Sequence, residues 1–395
     1  MNYIMVSKLK SRPLPIFSWK SNGRGDSEME QYICNCCGKK YDITPTIWKC
    51  ECGDVLDLVK DTPHIDVAVW NNYPNSIWRY FETMPFAKDS KTWESVTMGE
   101  GGSPLIVLDP LEPNTYVKVD YMMPTLSFKD RGAAVLMTKA KELGVSKVIA
   151  DSSGNAGTSI AAYAARCNIA CDIYLSDETS PKKIAQIKAH GATIKEIHGT
   201  REDIAAAAQK AVDEEKVFYA SHVYNPYFYE GTKTYAYEIY EQLKGAPDAL
   251  IIPVGNGTLV LGAFYGFKEL FENKLIEKMP KIIAVQAVNC APLVKAYEKG
   301  DVVAEPVTNE GTLAEGIAIA APARSKQILE AVRETKGTFI DIKEDEILSA
   351  RAALADKGFY VEVTTAANYA GYLKYKKEPG EKMIIPLCGA GIKSK

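Results

Sequence analysis

A chain of 395 residues with 46% hydrophobic and 25% charged residues is long enough for two hydrophobic cores and has an ordinary globular balance. A net charge of −3 with no basic patch argues against a nucleic-acid partner, and the longest apolar runs are strand-sized, far below the ~20 residues that span a bilayer. Residues 1–8 lack the apolar core of a secretory signal, so a cytoplasmic protein is expected.

In chain order, residues 1–29 carry scattered charge, Pro13, Pro15 and several glycines with no sustained period, which predicts a loosely packed extension. Five of the nine cysteines then crowd together: Cys34, Cys36, Cys37, Cys50 and Cys52. Cys34 and Cys37 form a C-x-x-C-G half of a zinc ribbon, whereas Cys50-Glu51-Cys52-Gly53 is a compressed C-x-C half that strains tetrahedral ligation. A zinc-bound ribbon and a metal-free remnant both fit this pattern. Cys167, Cys171 and Cys290 read as reduced core residues. Turn chemistry at Asp61-Thr62-Pro63 and Asn71-Asn72-Tyr73-Pro74 leads to Trp78-Arg79-Tyr80, where the main region begins.

Ala133, Leu136, Met137 and Ala140 recur at helical spacing and Gly144 follows as a stop, so a packed helix is predicted just after Lys129 in Ser127-Phe128-Lys129-Asp130-Arg131-Gly132. Strands are predicted at Lys147–Ala150, 170–175, Thr193–Ile197 and 217–220, with helices at 181–190 and 202–214 between them. Further strands are predicted at 250–254, Lys281–Ala287, Thr338–Ile342 and 382–387. The alternation predicts open, mostly parallel sheets, divided as an N-terminal extension (1–67), a large domain (68–140 and 235–395) and a small domain inserted at 141–234.

A first-turn lysine is ordinarily solvated, but two loops bear on Lys129. Asp151-Ser152-Ser153-Gly154-Asn155-Ala156-Gly157 follows a strand and opens a small-residue helix, and Gly255-Asn256-Gly257-Thr258-Leu259 does the same farther on. Either could be a plain strand-to-helix turn; both aim backbone N–H groups at an anion.

With the segments at 99–105, 124–132, 153–157, 225–234, 255–258 and 386–393 in this order, the chain resembles the threonine synthase group of fold-type II enzymes that use pyridoxal 5'-phosphate (PLP). The resemblance covers about residues 70–395. It implies two α/β/α domains with PLP in the cleft between them, a small amino-acid substrate, and a homodimer. It further implies that Lys129 binds PLP covalently, that Gly255, Asn256, Gly257, Thr258 and Leu259 hold its phosphate, and that Asn155 meets its phenolic oxygen. Ser152, Ser153, Asn155 and Ala156 would hold the substrate carboxylate. Phe128 offers the apolar screening that lowers a lysine pKa.

Cys388 stands where relatives usually place Ser or Thr opposite the PLP ring nitrogen. A neutral thiol there suits β- or γ-elimination and replacement better than transamination, although a small buried core residue reads the same way. Threonine synthases commonly have Arg where this chain has Phe228, so one phosphate-holding charge is missing unless Lys233 or Arg131 reaches in. Tyr227-Phe228-Tyr229 is otherwise an aromatic cluster. Glu315 and Glu362 are isolated acids in apolar stretches, candidates for facing the site or for exposed turns. The expected function is a lyase of the threonine synthase type. A β-replacement or dehydratase enzyme acting on serine, phosphoserine or threonine, including a cysteate synthase-like reaction, and a non-catalytic PLP-fold binding subunit stay open beside it.

Overall fold

The computed structural model describes residues 30–393, so the extension expected at 1–29 lies outside the described residues. The Cys-rich segment forms a small antiparallel sheet of β1 (Gln31–Cys34), β2 (Lys40–Asp42) and β3 (Leu56–Val59), with β1 central. A hairpin of β4 (Leu105–Val107) and β5 (Thr115–Lys118) follows, then α1 (Lys129–Glu142). Helix α1 begins at Lys129 itself, one residue earlier than expected.

Next come β6 (Lys147–Ala150), α2 (Asn155–Cys167), β7 (Ala170–Ser176), α3 (Pro181–Ala189), β8 (Thr193–Ile197), α4 (Arg201–Glu215) and β9 (Phe218–Tyr219). These strands form one parallel sheet in the order β8-β7-β6-β9. Pro181 at the start of α3 and a Thr200/Asp203 capping box at α4 fix where two of these helices begin.

The chain returns through α5 (Tyr227–Thr232), α6 (Thr234–Leu243), β10 (Ala249–Pro253), α7 (Thr258–Glu272), β11 (Lys281–Ala287), α8 (Pro292–Lys299), α9 (Ser325–Glu334), β12 (Thr338–Ile342), α10 (Glu344–Asp356), α11 (Val363–Lys374) and β13 (Met383–Pro386). The second sheet runs β12-β11-β10-β13-β5-β4 and is parallel except at the β4 edge. Its central strands read as continuous apolar runs because helices cover both faces: Leu250, Ile251, Ile252, Ile384 and Ile385 are all fully buried. In such sheets ligands bind beyond the carboxyl ends of the strands, and the loops after β6, β9, β10 and β13 meet there. No helix among the described residues is long and apolar enough to cross a membrane.

The small antiparallel sheet is tied to this region by Arg324, whose buried guanidinium donates to Asp57 Oδ1 (2.6 Å), the Leu56 carbonyl (2.8 Å) and the Val223 carbonyl (2.7 Å). Trp48 adds a second tie, packing edge-on against Tyr219 and Tyr224 with 5.1 Å between ring centroids.

Candidate active site

Lys129 stands at the first turn of α1, anchored because the Phe128 N–H donates to the Cys388 carbonyl at 3.0 Å. Its Nζ donates to Thr258 Oγ1 at 2.7 Å and lies 4.8 Å from the centre of the Phe128 ring and 5.6 Å from that of Phe228. Burial among these rings lowers the amine to about 7, against the opposing pull of Cys388 and Glu362. Near neutral pH a large share of this lysine is therefore an uncharged nucleophile.

The 255–259 loop approaches from β10. Gly257 is left-handed at φ +79°, and a Cβ there would lie 2.4 Å from Ile328 Cδ1; one on Gly255 would lie 2.8 Å from Ile319 Cγ1. Only glycine fits, and the bare backbone N–H groups at the start of the 15-residue α7 are left facing the cleft. Opposite, Ser152, Ser153, Asn155 and Ala156 line the same cleft, with the Gly154 N–H donating to Ser152 Oγ at 3.3 Å. A Cβ on Gly157 would lie 1.7 Å from the Ser152 carbonyl oxygen, so glycine is what lets the turn fold back on α2.

Asn155 Nδ2 donates to both oxygens of Glu362, at 2.9 and 3.2 Å. Burial raises the Glu362 carboxyl above its ordinary value, opposed by the Asn155 bond. Cys388 lies buried at the cleft base, where burial and the charges of Glu362 and Asp120 push its thiol well above its usual range. It is neutral at any physiological pH.

These walls enclose about 740 Å³. A screened amine, a glycine loop of N–H donors at a helix start and a neutral thiol fit an aromatic aldehyde bearing a phosphate. Residues 96–389 match the model of the family described as "Pyridoxal-phosphate dependent enzyme". The chain belongs to that family. It is 35% identical over 376 residues to a threonine synthase from Methanocaldococcus jannaschii, covering 91% of this chain and 92% of that one. It is 35% identical over 352 residues to a threonine synthase from Methanosarcina acetivorans, covering 86% and 85%. Among solved structures, threonine deaminase isoform 2 from Solanum lycopersicum superposes with a TM-score of 0.64 at 24% identity, covering 80% of this chain and 92% of that one. Maize serine racemase gives 0.64 at 19% identity, covering 73% and 88%; both likenesses concern the fold. This PLP-dependent enzyme is a lyase, like the threonine synthases to which it is similar, and PLP is its cofactor.

Several expectations need correction. Lys233 cannot reach in: its buried Nζ is held by Glu230 (2.8 Å), Glu269 (3.1 Å) and the Thr83 carbonyl (2.7 Å). Arg131 is likewise consumed by Asp120 and Glu238. Phe228 is fully buried behind the lysine, so close to α1 that a Cβ on Gly132 would lie 2.3 Å from its ring. Tyr227 and Tyr229 are buried with it, an aromatic cluster and not a cleft lining. Glu315 is 72% exposed at the cleft rim and pairs with Lys183. Glu362, similarly placed in sequence, is the acid that faces the site.

Sequence reasoning missed His222, Arg201, Lys182, Lys183 and Lys393, which also line the cleft. A lone histidine, and charges on helices whose exposed faces need them anyway, give no pattern that singles them out.

In the N-terminal sheet the sulfurs of Cys34, Cys37, Cys50 and Cys52 all lie within 4.8 Å of one another, and Cys36 is outside the set. Cys34–Cys52 and Cys37–Cys50 are each 3.5 Å apart, close to the roughly 3.8 Å separation of sulfurs around tetrahedral zinc with 2.3 Å bonds. The N–H groups of Cys36 and Cys37 donate to Cys34 Sγ at 3.4 and 3.5 Å. The C-x-C half is closed by Gly53, at φ +90°, whose N–H donates to the Cys50 carbonyl at 2.8 Å.

Proposed function

We propose that this enzyme eliminates or replaces a leaving group at Cβ or Cγ of an amino acid, and that Cys388 carries the reading. When bound, PLP supplies an electron sink that acidifies the substrate's α-carbon and labilises the leaving group. Cys388 would face its ring nitrogen, and a neutral thiol there would leave that nitrogen unprotonated and favour elimination and replacement over transamination. Lys129 would hold the cofactor and, once displaced, take the α-proton on Nζ; a pKa near 7 suits both tasks. The N–H groups of residues 255–259 would hold the cofactor phosphate, and Asn155 its phenolic oxygen. The Ser152, Ser153 and Ala156 N–H groups would orient the substrate carboxylate.

O-phosphohomoserine to threonine is one such reaction. Phe228 favours a second reading, β-replacement or dehydration of serine, phosphoserine or threonine, because a buried ring stands where threonine synthases commonly carry arginine and neither Lys233 nor Arg131 replaces it. A non-catalytic binding subunit would need neither Lys129 nor the glycine loop. We place the boundaries of the inserted domain at 141–234, read the ribbon thiols as a zinc site, and expect a cytoplasmic homodimer.

The test is to mix the purified holoenzyme with O-phosphohomoserine, phosphoserine, serine and threonine and follow the cofactor absorbance. A shift with at least one of them, lost in Lys129→Ala, is expected. A colourless wild type overturns the PLP reading, and efficient conversion of O-phosphohomoserine to threonine overturns the second one.

A further inference from the structure

Behind Cys388 stands a polar side chain that no step described above uses. Every residue of α11 from Thr365 to Tyr372 is buried, and Asn368 is the one carboxamide among them. A carboxamide on a helix packed against β13 must find hydrogen-bond partners there or lose stability. Its Nδ2 lies 2.8 Å from the Pro386 carbonyl oxygen and 3.9 Å from Cys388 Sγ. The shorter contact settles which end of the amide is which: a carbonyl oxygen only accepts, so the atom 2.8 Å from it is Nδ2 and not Oδ1. Nδ2 carries two hydrogens, and these two contacts use both. Oδ1 is then buried with no partner among the described residues. A leucine would fill the same place without stranding an acceptor, so the amide gives up core stability that an apolar residue would keep.

What the amide does falls on the thiol. Cys388 Sγ lies 3.8 Å from the same Pro386 oxygen, the acceptor its own S–H would otherwise use. An S–H is a weak donor beside an amide N–H, and Asn368 holds that oxygen at a distance 1 Å shorter. The second Asn368 hydrogen, aimed at the sulfur, repels a thiol hydrogen turned toward α11. Both effects leave the sulfur an acceptor on its α11 side and direct its hydrogen to the opposite side. That side is the cleft, which Cys388 lines and Asn368 does not.

We propose that Asn368 is the positioning residue of Cys388: by holding the Pro386 carbonyl and donating to the sulfur, it keeps the thiol hydrogen directed into the cleft, as a donor to the cofactor's ring nitrogen. The proposal deepens the reading of Cys388 given above and rests on it. With Asn368 in place, the thiol offers the nitrogen a hydrogen and so favours its unprotonated form. Without Asn368, the S–H falls back on Pro386 and the nitrogen meets only a sulfur lone pair, which a protonated ring accepts equally well.

The experiment reads the S–H stretching band of Cys388 by infrared difference, each protein against its own Cys388→Ser counterpart, with and without PLP. In wild type the band is expected to move to lower frequency when PLP binds, because the S–H then donates to a ring nitrogen. Asn368→Leu is expected to lower the band already in the apoenzyme, by turning the S–H onto Pro386, and to abolish most of the shift on PLP binding. Asn368→Ser takes its place should the leucine variant fail to fold: a serine hydroxyl in a helix bonds a carbonyl one turn earlier, so the same spectral change is expected. A band that is the same in variant and wild type, both with and without PLP, overturns the role of Asn368. A wild-type band that does not respond to PLP overturns instead the placing of Cys388 at the ring nitrogen.

Discussion

The Phe128 N–H and the Cys388 carbonyl, 3.0 Å apart, join the segment carrying the reactive lysine to the segment carrying the thiol. An antiparallel bridge between Ser127 and Gly389 reinforces the join. The amine and the group proposed for the ring nitrogen thus share one rigid backbone contact. The main chain fixes the spacing of the two backbone positions from which the amine and the thiol project.

From this follows a prediction for position 388. Cys388→Ser keeps a small neutral group and should retain most activity, whereas Cys388→Asp puts a carboxylate there and should cut elimination at least about tenfold by protonating the ring nitrogen. Single-turnover rates of both variants, with absorbance spectra to show cofactor retention, check this. Unchanged turnover in Cys388→Asp removes the thiol from the mechanism.

Lys129 predicts a pH dependence. Its amine titrates near 7 in the folded protein and at 10.5 when unperturbed, so the fraction able to attack an aldehyde rises as pH increases through 7. PLP uptake by apoenzyme should accelerate with that midpoint. Phe128→Ser admits water beside the amine and should move the midpoint upward. Stopped-flow absorbance across pH 6 to 10 reads both, and identical profiles would count against apolar screening.

Much of this site was legible in the sequence because it consists of short contiguous runs. The 152–157 turn and the 255–259 loop each sit at a strand-to-helix junction that strand patterns predict, and the helical spacing of Ala133, Leu136, Met137 and Ala140 marks Lys129 as a helix start. Less legible was everything that depends on which side chains end up paired. Lys233 and Arg131 are cationic in sequence, yet only the fold shows that Glu230, Glu269, Asp120 and Glu238 consume them. Glu315 and Glu362 look alike in sequence, but one ends at the rim and the other is packed against Gly389 with its carboxylate on Asn155. The β4–β5 hairpin escaped because its strands are short and partly exposed.

Phe228 is placed to pack, which predicts what an arginine would do there. Phe228→Arg buries a charge with no carboxylate partner between Gly132, His222 and Lys129, so it should destabilise the protein by about 3–5 kcal/mol and create no phosphate site. Phe228→Leu keeps the position apolar and should cost less. Chemical unfolding of the holoenzyme measures both, and a stable Phe228→Arg enzyme with improved O-phosphohomoserine binding would contradict this placement.

Metal and cofactor should be coupled unequally through Arg324. Its guanidinium holds Asp57 and Leu56 on the ribbon side and Val223 next to His222 on the cleft side, and it stacks on Tyr229 at 4.6 Å. Arg324→Met removes the one group that bonds both sides, leaving Asp57 to Asn35 and the Val223 carbonyl to the Tyr229 hydroxyl, and should cost about 3–5 kcal/mol, with weaker cofactor retention because the His222 wall loosens. If the ribbon thiols hold the proposed zinc, a chelator, or Cys37→Ser, frees them but leaves the Arg324 bonds and the Trp48 packing in place. It should lower the melting temperature and raise hydrogen exchange in residues 31–59 while residues 219–225 stay protected and PLP stays bound. Cofactor lost as readily on chelation as in Arg324→Met would mean that the metal, and not the arginine, holds the wall of the cleft.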